Sequence, residues 1–104
     1  MNRGKSPLLA LQQDCDQAAR LAAQALTNGG LCVRRTFDAQ SLGPGTDRII
    51  ILLVYGSQPA PWLLIFEGKD AHTNVYIATD PENLDRPVDV TLTQALLGAF
   101  FSHP

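Results

Sequence analysis

The stretch RIIILLVYG, residues 48–56, sets seven apolar residues in a row between Arg48 and Gly56. A strand with one wet face alternates apolar and polar residues, whereas a short unbroken run bounded by a turn signal suits a strand buried on both faces. The chain must therefore supply or recruit two apolar layers for this strand.

A length of 104 residues allows one domain and one core. The reading is a single α+β domain over 1–104, with residues 1–5 outside the ordered fold. Hydrophobic residues make up 45% and charged residues 17%, which excludes a disordered chain. Eight basic against ten acidic residues, with Arg34-Arg35 the only adjacent basic pair, argue against nucleic acid, which needs a basic patch. Leu8–Leu11 is too short an apolar stretch for an export signal or a membrane span. No membrane association is expected, the localisation read is cytoplasmic, and Cys15 and Cys32, which lack CxxC spacing, are expected as thiols.

Ser6-Pro7 reads as a helix start. Leu8, Leu11, Cys15, Ala18, Ala22 and Ala25 then recur at helical spacing to form an apolar stripe. Asn28-Gly29-Gly30 ends this helix, since glycine accepts the left-handed terminal conformation. At 1.5 Å per residue the rod would be about 30 Å long. Leu31–Phe37 alternates, with Leu31, Val33 and Phe37 on one side. Trp62–Glu67 is a second nearly continuous apolar strand, and Thr73–Ala78 alternates again after a hairpin-length connection at 68–72. Residues 79–90 read as an extended surface segment. Thr91 and Gln94 have capping-box spacing before the stripe Leu92, Ala95, Leu96, Ala99 and Phe100. The predicted order is α-β-β-β-β-α, a two-layer sandwich with an antiparallel four-stranded sheet and both helices on one face.

Two helices cover one face of such a sheet and leave the other without a layer. If Leu31, Val33, Phe37, Trp62, Leu64, Phe66, Val75 and Ile77 face the helices, the other face shows Arg34 and Thr36, then Leu63, Ile65 and Tyr76. The middle strand adds either Ile50, Leu52 and Val54 or its opposite set. Arg34, Thr36, Ile50, Leu52, Val54, Leu63, Ile65 and Tyr76 are the interface candidates, because an apolar patch rimmed by polar groups is a common interaction surface. A homodimer or another protein is the expected partner. Loops 38–47 and 79–90 folding over the sheet are the alternative cover.

Arg35 shares parity with Val33 and Phe37, and its planar fork makes it an anion-binding candidate for a ligand or an acidic side chain. Glu67, Asp70 and His72 gather at one hairpin, a grouping explained equally by a solvated tip. Asp80, Glu82, Asp85 and Asp89 lack EF-hand spacing, and no metal or other cofactor is expected. GxSxG, HExxH and P-loop patterns are missing from the sequence, so an enzyme is not the leading expectation. That place goes to a non-enzymatic protein-interaction domain. Its rival is a small-ligand domain or minor enzyme with a pocket between the sheet and loops 38–47 and 79–90, using Arg34 or Arg35 with Tyr76 or His72. An edge-strand binder built on Leu31–Phe37 or Thr73–Ala78 is a third.

Overall fold

The computed structural model describes residues 7–40, 45–56, 61–78 and 90–101. The expected disorder of 1–5 lies outside them, as do residues 79–89 of the surface segment read over 79–90, whose last residue, Val90, is helical. The elements run β1 (Leu9–Leu11), α1 (Cys15–Asn28), β2 (Cys32–Gln40), β3 (Arg48–Tyr55), β4 (Trp62–Lys69), β5 (His72–Ala78) and α2 (Val90–Phe101). All neighbouring strands pair antiparallel in the order β1-β5-β4-β3-β2. The α+β class is as read, but the sheet has five strands rather than four.

The additional strand replaces the first turns of the expected helix. Leu9 and Leu11 are buried while Ala10 is exposed, so the segment satisfies a period of two as well as the helical spacing. Asp14 is the stronger start signal: its carboxylate accepts from the backbone N–H of Asp16 at 3.1 Å and of Gln17 at 3.2 Å, meeting two donors that a helix start otherwise leaves unpaired. The residues before it pair with β5, where the Leu8 N–H donates to the Val75 carbonyl and Thr73 Oγ1 donates to the Gln13 carbonyl at 2.8 Å. With 14 residues α1 is about 21 Å long. It ends as expected: the Leu31 N–H reaches the Leu26 carbonyl and the Gly30 N–H the Thr27 carbonyl, with Gly30 at φ 95°.

The core lies between α1 and one face of the sheet, called here the inner face. Cys15, Ala18, Ala19, Ala22 and Leu26 of α1 meet Ile50, Leu52, Val54, Trp62, Leu64, Phe66 and Val75. The small helix residues bring α1 close to the sheet. At Gly68 the approach is closest, for a Cβ there would stand 2.7 Å from the Cβ of Cys15. Helix α2 packs against α1, and its buried Leu92 and Leu96 join the same core cluster.

The register decides which half of the long apolar run faces inward. Ile50, Leu52 and Val54 pair with Phe66, Leu64 and Trp62 and are 0, 1 and 0% exposed. They are core residues, which corrects their expected place on the outer face; parity alone cannot choose a side when both halves of a strand are apolar. A second correction falls on Phe37. Between Arg35 and Phe37 the register shifts, leaving Thr36 as an additional residue, and such a bulge reverses parity beyond it. Phe37 therefore pairs with Ile51, is 46% exposed, and leaves the inner face to Asp38.

Candidate functional site

The outer face is a lattice of cross-strand rows. One row runs Arg34, Leu53, Leu63, Ala78; the next Phe37, Ile51, Ile65, Tyr76; a third Ala39, Ile49, Glu67, Asn74, Ala10; Tyr55 and Cys32 stand beyond the first. Ile51, Leu53, Leu63 and Ile65 form an aliphatic centre, each half-buried. Phe37 and Tyr55 are exposed and Tyr76 half-buried at its margin. Arg34 and Glu67 stand at the rim with no hydrogen bond or ion pair among the described residues. The described helices occupy other places: α1 lies on the inner face and α2 packs on α1.

Of the interface candidates, Arg34, Leu63, Ile65 and Tyr76 lie on this face. Thr36 is exposed at the bulge. Ile49, Ile51, Leu53 and Tyr55 are the opposite set that parity left open for the middle strand, and Phe37 reaches this face only through the bulge. Reading from sequence missed Val90, Leu97 and Phe101, exposed apolar residues on α2.

Arg35 belongs to an ion-pair network at the inner rim. The Arg48 guanidinium forks onto Asp38, with Nε to Oδ1 at 3.0 Å and Nη2 to Oδ2 at 2.8 Å. Arg35 Nη1 lies 3.2 Å from Asp38 and 3.5 Å from Asp16, and Asp16 also pairs with Arg20 at 3.1 Å. The acidic side chains that Arg35 was expected to seek are thus Asp16 and Asp38. The network ties the start of α1 to β2 and β3. Hydrogen bonding from Arg48, with the charges of Arg48 and Arg35, holds the Asp38 carboxyl below its ordinary range.

Glu67, Asp70 and His72 do come together, lining with Gly45, Lys69 and Asn74 an open depression of about 300 Å³. The hairpin is tighter than read: Lys69 pairs with His72, and Asp70 and Ala71 alone make the turn at φ 50° and 66°. The Asp70 N–H donates to the Asp47 carboxylate at 2.8 Å, and His72 Nδ1 lies 3.0 Å from the Asp70 carbonyl. These bonds hold the turn. No group of three or more acidic, histidine or cysteine side chains suited to a metal ion occurs among the described residues.

Cys15 is buried, its Sγ 3.4 Å from the Phe66 carbonyl, and burial pushes its thiol up to about 11. A nucleophilic cysteine needs the opposite shift. Cys32 is exposed on the outer side, and both are free thiols. No helix among the described residues is long and apolar enough to cross a membrane. Compared with protein-family models, curated proteins and solved structures, the chain matches none.

Proposed function

We propose that the protein is a non-enzymatic cytoplasmic interaction domain that self-associates or binds a partner protein through the outer face of its sheet, both helices lying on the inner side. One observation carries the reading: the contiguous centre Ile51, Leu53, Leu63 and Ile65, rimmed by Phe37, Tyr55, Tyr76, Arg34, Glu67 and Asn74. An apolar centre with an aromatic and polar rim is the make-up of protein interfaces. The depression at Glu67, Asp70 and His72 favours the second reading, a small-ligand site, but its polar groups are in part engaged in holding the turn.

The test is the solution mass by light scattering over a dilution series, for the wild type and Ile65→Lys. The expected result is a wild-type mass above that of the monomer, with a folded, monomeric Ile65→Lys. A wild type monomeric at millimolar concentration, with an unfolded Ile65→Lys, would put Ile65 in an internal core and overturn the reading.

A further inference from the structure

We infer that the occupant of the outer face is a second copy of this chain, its sheet stacked on the first with strands crossing near 90°, so that Arg34 of each copy meets Glu67 of the other. The inference rests on the interface reading above and adds the partner and its geometry.

The outer face complements itself in charge and in ring placement. With strands about 4.8 Å apart and same-face residues about 6.8 Å apart along a strand, positions on the face can be placed from the register. Arg34 lies on β2, about 8 Å from the centre of the Ile51, Leu53, Leu63, Ile65 quartet, and Glu67 on β4, about 10 Å from it, in directions roughly 130° apart. A two-fold axis in the plane of the face, bisecting those directions, exchanges the two positions. Every two-fold interface requires such an exchange, residue i of one copy meeting residue j of the other and the reverse.

The positions opposite Arg34 and Glu67 through the centre are exchanged by the same axis, and both hold tyrosines. Tyr76 and Tyr55 lie about 8 and 10 Å from the centre, and the rotation carries one onto the other, pairing two aromatic rings twice across the interface. Phe37 lies close to the axis, so the two copies of this exposed ring meet. The axis stands roughly 50° from the strands, which sets the two sheets near 90°, one of the two preferred ways for sheets to pack. The fifteen positions of the outer-face rows, at about 33 Å² each, make roughly 490 Å² per copy and about 1,000 Å² in all, the least that a specific interface buries.

The experiment is sedimentation equilibrium on the wild type, Arg34→Glu, Glu67→Arg, the double charge swap and Ile65→Lys, with circular dichroism to check that each folds. Each single reversal, repeated twice by symmetry, should weaken the dimer about tenfold or more, and the swap should restore it to within about threefold. If the singles leave the dimer unchanged, or the swap is no better than either single, while Ile65→Lys still dissociates it, this geometry is overturned and the interface reading stands. If the wild type stays monomeric at millimolar concentration, the second copy is not the occupant.

Discussion

The two faces of the sheet are built from the same strands and differ little in apolar content along β3 and β4, yet only one is a core. Ile50, Leu52 and Val54 lie under the alanines of α1 and are shielded completely, while Ile49, Ile51 and Leu53, one residue away in each case, keep part of their surface in water. Fully burying such a side chain is worth roughly 1.5–3 kcal/mol. The outer residues have gained only part of that within one chain. What separates core from surface here is the small-residue face of α1, not the hydrophobicity of the strands.

The comparison breaks most readily at adjacent residues of β3. Leu52→Ala should cost about 2–5 kcal/mol, as large-to-small changes in a packed core do, and Ile51→Ala about 1 kcal/mol or less in the monomer. Urea denaturation of the two variants, at a dilution where the wild type is monomeric, measures the difference. Equal losses would mean that both faces are internal.

A smaller effect sharpens the account of why α1 sits where it does. Gly68→Ala places a Cβ against that of Cys15 and should destabilise by about 1–3 kcal/mol, most of which Cys15→Gly in the same chain should recover. Additive losses in that double-mutant cycle would show that the helix does not rest on Gly68.

The smallest effect belongs to the inner rim. The folded-state pKa of Asp38 is lowered, so its contribution to stability is fully present above the ordinary carboxylate value of 3.8 and is lost as pH falls through the lower folded value. Asp38→Asn should cost about 1 kcal/mol or less near neutrality, as partly exposed ion pairs do, and should flatten the acid limb of the urea midpoint between pH 6 and 2. An unchanged acid limb would remove Asp38 from the balance between the faces.

Period and punctuation made much of this fold legible in the sequence. The end of α1 at Asn28-Gly29-Gly30, the four longer strands and the stripe of α2 could each be read from apolar spacing and turn residues. Residues 8–11 could not, because Leu9 and Leu11 fit a strand and a helix alike, and the unpaired edge of β5 that decides between them is more than sixty residues away in sequence. The site was half legible. Leu63, Ile65, Tyr76 and Arg34 were placed on the outer face by parity, but in β3 parity carries no side when every residue is apolar, and one additional residue at Thr36 reversed the order of Phe37 and Asp38.

The two thiols lie on opposite sides of this sheet, and that placement gives the molecule a reporter for each. An alkylating reagent at neutral pH meets Cys32 at the outer surface, whereas Cys15, buried beneath α1 and kept protonated, becomes available only when the helix lifts from the strands. Labelling of Cys32 therefore follows what covers the sheet, and labelling of Cys15 times the opening of the core, with no residue added to the protein.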